Sequence, residues 1–190
     1  VGGAIRDLLM GKTPKDFDVA TSATPEQVHS LFRGSRIIGR RFQIVHVRMG
    51  RDMIEVTTFR GHHSESDNKN TAKQGSSGVL LRDNVFGTLE QDAVRRDLTV
   101  NALYYDPVED TIIDYTEGLK DIAAKRLKII GDPETRYRED PVRMLRVLRF
   151  QAKLDFKIDA ATNIALTACA PLLAQIPAAR LFDEFLKGFM

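Results

Sequence analysis

The chain has 190 residues, of which 43% are hydrophobic, so it can form one domain or one and a half around a real core. Its formal net charge of +2 is too small to indicate a nucleic-acid ligand by itself. The single Cys169 excludes a disulfide-rich scaffold, so we expect a buried, inert thiol and a reducing, cytoplasmic location. No apolar run approaches the roughly 20 residues that span a bilayer, so we expect no membrane segment.

A double glycine near the start of the chain precedes a helix-like segment, GGAIRDLLMG. Gly2 and Gly3 are typical of a strand end that leads into a helix, where bare backbone can approach phosphate oxygens and the helix N-terminus favours negative charge. For the pair in isolation, a tight turn without a ligand is the alternative. Because a strand ending at Val1 would lack its start and the ending FDEFLKGFM has no obvious cap, we expect a fragment of a longer protein.

Two carboxylates follow in the run DFD, at Asp16 and Asp18. Side chains at i and i+2 of a strand point to the same face, and an acid on a neighbouring strand, such as Glu55 in IEVTTF, can complete the cluster. Three oxygen donors of this kind suit Mg²⁺ rather than zinc. A DxD pattern alone is common, so the motifs around it carry the prediction of a metal and nucleotide site.

A first helix is predicted from about residue 25 to 33. Thr24 can cap it, Pro25 fits its first position and Gln27 completes a capping box. Gly34 is expected to end it.

Two alternating segments, 41–48 and 53–59, predict adjacent strands, and Glu55 would lie on the second. The stretch 62–78, HHSESDNKNTAKQGSSG, is polar and without periodicity, so we predict a mobile loop in which the two histidines are not ligands.

A second capping box, from Thr88 to Gln91, predicts a helix that leads into RRDLTVNALYYD. The polar residues of that run are, on the sequence alone, compatible with an exposed junction between helix and strand. The segment DYTEGLKD that follows is compatible with ordinary turn chemistry.

The strongest helix start lies at Asp140, which precedes a proline and the segment PVRMLRVLRF. Helical spacing predicts that Val142, Leu145 and Leu148 face a core. Arg143 lies within one turn of Asp140, so the two could face the same flat group, although an ordinary intrahelical ion pair is the alternative.

Basic residues cluster in two stretches that could follow a nucleic-acid backbone, although a solvated face is an equal alternative. They are Arg36, Arg40, Arg41 and Arg48 in the first, and Arg136, Arg138, Arg143, Arg146, Arg149 and Lys153 in the second.

The order of VGGAIRD, KDFDVAT, IEVTTFR, RRDLTVNAL and EDPVRMLRVLRF resembles the class II nucleotidyltransferases, which comprise the CCA-adding tRNA nucleotidyltransferases and the bacterial poly(A) polymerases. The resemblance covers nearly the whole chain. Within the family, the stretch IIGRRFQIVHV is similar to the pattern of poly(A) polymerases, closest to the gamma-proteobacterial type.

The resemblance implies an α+β fold, in agreement with strands early and helices late in the chain. A nucleotidyltransferase head of the polymerase-beta-like type, with a mixed β-sheet and flanking helices, is expected over residues 1–126. An all-α neck is expected over residues 127–190, with the helix that recognises the nucleotide base and the start of an RNA-binding body. DYTEGLKD, with Asp114, Gly118 and Asp121, resembles the hinge between the two.

The resemblance also assigns site residues. Asp16, Asp18 and Glu55 are the expected catalytic carboxylates, and the first two are expected to hold two Mg²⁺ ions. Asp97 and Asn101 are expected near the ribose. The expected nucleotide-binding residues are Gly2, Gly3, Arg6, Arg95, Arg96, Asp97, Asn101, Glu139, Asp140, Arg143 and Arg146.

The predicted function is template-independent addition of AMP from ATP to RNA 3′ ends, with ATP and an RNA 3′ end as partners. CCA addition to tRNA is the first alternative, because CTP offers the same donor and acceptor order as adenine to Asp140 and Arg143. A non-catalytic RNA-binding relative is a more distant alternative, and a nucleotidyltransferase acting on a small molecule is more distant still.

Overall fold

The computed structural model describes residues 1–39, 42–61 and 85–188. The predicted mobile loop and its two histidines, as well as Arg40 and Arg41, therefore lie outside the described residues. Within the described part, no helix is long and apolar enough to cross a membrane. We refer to residues 1–126 as the head and to residues 127–188 as the neck.

The head is built on a mixed sheet of four strands, which are β1 (Asp18–Thr21), β2 (Ser35–Ile38), β3 (Ile44–Met49) and β4 (Asp52–Thr58). Their order in the sheet is β1-β4-β3-β2. Strands β1 and β4 are parallel, and the other neighbours are antiparallel. Strands β3 and β4 match the two predicted alternating segments.

Helix α2, Pro25–Leu31, packs on one face of this sheet. Val28 of the helix forms a small core with Val45, Val47 and Val56, because alternate residues of β3 and β4 point to the same side. The predicted capping box is present, with Thr24 accepting from the amide of Gln27. The opposite face of the sheet carries the polar members of the same strands.

The rest of the head consists of three helices, a 3₁₀ turn and a β-hairpin. These elements are α1 (Gly3–Leu9), α3 (Leu89–Val94), the 3₁₀ turn (Thr99–Asn101), the hairpin strands β5 (Leu103–Asp106) and β6 (Thr111–Asp114), and α4 (Gly118–Ala123). The amide of Gly2 donates to the carbonyl of Leu103 at 2.8 Å, which attaches α1 to the hairpin. The carboxylate of Asp114 accepts from the amides of Gly118 and Leu119, so the predicted hinge motif forms the start of α4.

The neck is helical, with one addition that the sequence did not predict. Two short parallel strands, β7 (Arg126–Leu127) and β8 (Lys157–Ile158), pair across the boundary between head and neck. Asp155, which ends the preceding helix in a left-handed conformation, lies two residues before β8. The helices are α5 (Pro133–Glu139), α6 (Val142–Leu154), α7 (Ala160–Cys169) and α8 (Ala178–Leu186), with a 3₁₀ segment (Ala170–Gln175) before the last.

The main core joins head and neck. Leu98 and Val100 of the head pack with Leu127, Tyr137 and Val147, and these side chains are fully buried. Cys169 lies at the edge of the same core and is 2% exposed, which confirms the predicted buried thiol.

The inward face of α6 differs from the predicted one. Val142 is buried as expected, but Leu148 is 42% exposed, and Met144 and Val147 fill the core instead. The prediction was wrong because a second apolar stripe shares the helical period. Leu145 and Leu148 belong to that stripe and face an apolar groove beside α8.

Replacement of Gly118 by alanine tests the contact between α4 and the 3₁₀ turn. A Cβ atom at Gly118 would lie 2.3 Å from the carbonyl oxygen of Thr99, so one of the two backbones must move. We expect Gly118→Ala to lower the free energy of unfolding by about 1–3 kcal/mol in denaturant titrations. Gly34→Ala is the control, because its Cβ would have ordinary contacts; an equal effect of both substitutions would contradict the packing argument.

Candidate active site

A cleft of about 720 Å³ lies where the first residues of the sheet, the start of α1, the segment after α3 and helices α6 and α8 meet. It brings together most of the residues that the sequence assigned to a nucleotide or metal site. Those in its lining are Gly2, Gly3, Arg6, Asp16, Asp18, Arg95, Arg96, Asp97, Asn101, Asp140, Arg143 and Arg146. Glu55 and Glu139 are the predicted residues that do not line it.

The two acids of DFD lie at the rim of the cleft. Asp18 begins β1, whereas Asp16 precedes the strand, and both residues are exposed. Asp18 pairs in register with Glu55 of the parallel strand β4, so these two side chains share the open face of the sheet, as predicted. Among the described residues, no three acidic, His or Cys side chains form a ready metal cluster.

This donor set fits Mg²⁺. The ion is usually held by one or two carboxylates, with water and substrate phosphates as the other ligands, rather than by a complete protein cage. The side chains of Asp16 and Asp18 make no ion pair within the described ranges, and both are exposed to the cleft.

His46 is a neighbour of the acids that the sequence did not identify. It faces Glu55 across β3 and β4, with its Nε2 atom 3.4 Å from Oε1 of Glu55. The available signal was the alternation of the strand IVHVRM, which places the histidine opposite to its buried valines.

Gly2 leads the chain into α1 in a conformation that favours glycine. Its φ angle is +67°, and a Cβ atom would lie 3.1 Å from Nη1 of Arg96. Both glycines line the cleft, but Gly2 is buried and its amide donates to Leu103, so Gly3 is the partly exposed glycine at this wall.

Arg6 forms part of the cleft floor and has partners of its own. Its guanidinium is buried, donates to Oδ1 of Asp7 at 2.6 Å and to Oδ1 of Asn101, and lies 5.1 Å from the ring centre of Phe150. Arg6 thus fixes the orientation of Asn101 and connects α1 to α6.

Asp92 lies on the buried side of Arg95 and Arg96 and forms ion pairs with both. This residue was not identified from the sequence. Asp92 accepts from Arg95 at 2.5 Å, from Arg96 at 3.2 Å and from the hydroxyl of Tyr104 at 2.5 Å. Burial opposes the charge of Asp92, but Arg95, Tyr104 and Arg96 outweigh it, so the pKa of Asp92 lies below its ordinary value. Burial and the Asp92 carboxylate raise the pKa of Tyr104.

Asp97 joins the head to the neck. Nε of Arg146 on α6 donates to Oδ2 of Asp97 at 2.5 Å. Burial favours the neutral acid, but the Arg146 guanidinium more than compensates and lowers the pKa of Asp97. Arg136 adds to this connection by donating to the carbonyl oxygens of Arg95 and Arg96 at 2.5 and 2.7 Å.

Asp140 and Arg143 both line the cleft within one turn of each other, but they do not pair. Oδ2 of Asp140 accepts from Arg180 of α8 at 2.7 Å. Nη1 of Arg143 donates to Glu139 and to the carbonyl oxygen of Arg136, both at 2.8 Å. Glu139 therefore orients Arg143 from outside the cleft, and the intrahelical Asp140–Arg143 ion pair is not formed.

Comparison with known proteins gives two family matches. The model of the "Poly A polymerase head domain" matches residues 1–128. The model "Probable RNA and SrmB- binding site of polymerase A" matches residues 155–190.

Similar proteins cover the whole chain. It is 61% identical to Poly(A) polymerase I of Haemophilus influenzae over 98% of the chain and 42% of that protein. It is 38% identical to a CCA-adding enzyme of Bacillus licheniformis over 99% of the chain and 46% of that enzyme. The crystal structure of Bacillus stearothermophilus CCA-adding enzyme in complex with CTP matches with a TM-score of 0.83 and 37% identity, over 99% of the chain and 43% of that structure.

These matches confirm the predicted family resemblance and the α+β fold class. The chain spans less than half the length of the relatives named above.

Replacement of Asp92 by asparagine tests the ion pairs of Asp92 with Arg95 and Arg96. We expect Asp92→Asn to lower the free energy of unfolding at pH 7 by about 3 kcal/mol or more, because Arg95 and Arg96 lose a buried counter-ion. Folding lowers the pKa of Asp92 below its ordinary value of 3.8. The ionised Asp92 therefore stabilises the fold fully above about pH 3.8, and this contribution is lost as the pH falls further.

The difference in the free energy of unfolding between the unsubstituted protein and the Asp92→Asn variant should therefore become smaller below about pH 4. Unfolding titrations at several pH values measure this difference. The exposed neighbour Glu90 on the same helix provides the control Glu90→Gln, for which we expect little change at any pH. A difference for Asp92→Asn that is independent of pH would contradict the role assigned to its charge.

Proposed function

The chain belongs to the family of the poly A polymerase head domain, and we propose that the protein adds AMP from ATP to the 3′ end of RNA without a template. The observation that carries the proposal is the cleft itself. Its lining contains two exposed carboxylates, Asp16 and Asp18, and also Asp140 and Arg143, an acceptor and a donor that suit adenine.

The reaction is a single nucleotidyl transfer. The 3′-hydroxyl oxygen of RNA attacks the α-phosphorus of ATP, the bond to the bridging oxygen of the β-phosphate breaks, and pyrophosphate leaves. No covalent intermediate with the protein is required, so the chain contributes by positioning the reactants and stabilising charge. We propose that Asp16 and Asp18 hold two Mg²⁺ ions, which when bound stabilise negative charge on the reacting oxygens. Glu55 is the proposed third carboxylate.

The nucleotide is bound by the walls of the cleft. We propose that the start of α1, at Gly2 and Gly3, and the guanidinium groups of Arg95 and Arg96 face the triphosphate. Asp92 and Tyr104 keep Arg96 in place from the buried side.

Asp97 and Asn101 are the proposed ribose contacts. Arg146 holds Asp97, and Arg6 holds Asn101. Because the side chain of Arg6 is only 2% exposed, we propose that it acts on the nucleotide through Asn101.

The base is recognised at the start of α6. Asp140 can accept from the amino group of adenine, and Arg143, oriented by Glu139, can donate to the adjacent ring nitrogen. CTP offers the same order, and the CTP complex of the similar CCA-adding structure supports CCA addition as the second candidate. The higher identity to Poly(A) polymerase I and the stretch IIGRRFQIVHV favour poly(A) synthesis.

The two family matches support a division of the chain into two parts. We propose that residues 1–126 act as the catalytic head, and that residues 127–190 form the neck and the start of the RNA-binding body, in line with the matches over 1–128 and 155–190. Use of RNA and ATP, together with the buried free thiol, supports a cytoplasmic location.

The two rim carboxylates provide the sharpest test of the chemistry. We expect Asp16→Asn and Asp18→Asn each to reduce the rate of AMP incorporation into RNA by at least about a hundredfold, because a metal-binding carboxylate is lost. Thermal unfolding should be nearly unchanged, since both residues are exposed. Asp52→Asn, an exposed acid at the start of β4, is the matched control; full activity of either cleft variant would refute the site.

Primer extension separates the two candidate functions. The full-length protein receives Mg²⁺ and ATP alone, or CTP plus ATP, with an unstructured RNA or a tRNA that lacks its 3′ end. We expect long tails from ATP alone on the unstructured RNA. Addition that stops after CCA on the tRNA would move the assignment to the second candidate, and absence of both incorporation and ATP binding would favour a non-catalytic RNA-binding relative.

A further inference from the structure

The cleft carries more positive charge than its own carboxylates neutralise. Its lining includes ten Lys and Arg side chains and seven Asp and Glu side chains. Two of those acids, Asp16 and Asp18, are exposed and are proposed to bind Mg²⁺ rather than arginine. The lining therefore has a surplus of cations that favours an anionic ligand.

The arginines of α6 that line the cleft are each engaged by a carboxylate. Arg143 contacts Glu139 at 2.8 Å, and Arg146 contacts Asp97 at 2.5 Å. Arg149 contacts Glu184 of α8 at 2.6 Å. Most of the basic stretch that the sequence offered as a nucleic-acid surface is thus used to join elements of the fold.

Lys153 is the next cleft-lining cation along the same helix, in its last turn. Within residues 1–39, 42–61 and 85–188 it has no ion pair and no hydrogen bond. The residue is exposed, and its partial burial together with the nearby charges of Arg6, Arg149 and Lys15 lowers its pKa, whereas Asp7 opposes this shift. Lys153 therefore faces like charges in a cleft, an arrangement that a bound anion relieves.

The position of Lys153 suits a phosphate rather than a base. It lies ten residues after Arg143, which corresponds to about 15 Å along the helix axis. A nucleotide bound by its base at the start of α6 must direct its phosphates away from Arg143 and into the cleft. The end of an RNA strand approaching Asp16 and Asp18 brings phosphates into the same cleft.

We propose that Lys153 binds a phosphate group of the reactants, either in the RNA backbone near its 3′ end or in the triphosphate of ATP. This inference rests on the proposed function for its substrates. Lysine is suited to this role as a compact point charge, and it requires no fixed fork geometry.

The test uses the full-length protein and three variants. Lys153→Gln removes the charge, and Lys153→Arg retains it. Lys157→Gln, an exposed lysine outside the cleft lining, removes the same charge four residues away. Binding of single-stranded oligo(A) RNA is measured by fluorescence anisotropy without ATP at several salt concentrations, and the KM for ATP is measured at saturating RNA.

Two outcomes support the proposal and identify the source of the phosphate. For RNA, Lys153→Gln weakens oligo(A) binding about three- to tenfold and reduces the slope of log affinity against log salt by about 0.7, with the KM for ATP unchanged. For ATP, the KM rises about three- to tenfold and RNA binding is unchanged. In either case Lys153→Arg should restore most of the loss.

Two other outcomes overturn it. One is that Lys153→Gln changes neither RNA binding nor the KM for ATP. The other is that Lys157→Gln has the same effect, which would show that Lys153 acts only through the net charge of the protein and not by binding a phosphate group. Failure of the proposed function is distinguishable, because an inactive protein still reports on Lys153 through RNA binding without ATP.

Discussion

The ion pair between Asp97 and Arg146 determines how the two parts of this molecule meet. It joins the segment after α3 to the middle of α6; the side chain of Asp97 is 10% exposed and that of Arg146 is 35% exposed. Loss of Arg146 would leave the desolvated carboxylate of Asp97 without its counter-ion, a change that destabilises proteins strongly. Because α6 forms one wall of the cleft, this ion pair helps to set the distance between the acids at the sheet and the proposed base-recognition residues at the start of α6, together with the shared core and the hydrogen bonds of Arg136.

Helix α6 serves the core and the cleft with different faces. Met144, Val147 and Phe150 pack inward with Leu98 and other buried residues of the head. The face of α6 that lines the cleft carries arginine and lysine side chains. The ring of Phe150 makes a cation–π contact with the buried guanidinium of Arg6. The proposed nucleotide site is therefore built on the main hydrophobic core, which limits its movement and orients side chains in advance of binding.

The carboxylates around the cleft fall into two physical classes. Asp92 and Asp97 are held by arginines and have lowered pKa values, so they remain ionised and keep those arginines in place. Asp16 and Asp18 are exposed and have no cationic partner among the described side chains. The first class organises the protein, and the second is available for a metal ion. Sequence inspection found the second class and missed Asp92, because only its contacts reveal its role.

The sequence by itself determined the local structure, since helix caps and strand alternation depend on residues two to four positions apart. Thr24 and Thr88 cap the helices that they predicted, and Asp18, the second of the DFD acids, begins a strand that Asp16 precedes. The tertiary structure decided the long-range pairs, such as Asp18 with Glu55 and Arg6 with Asn101, which lies 95 residues away. It also decided which apolar stripe of α6 faces the core, because one helical period fits both stripes and only packing against the remaining elements distinguishes them.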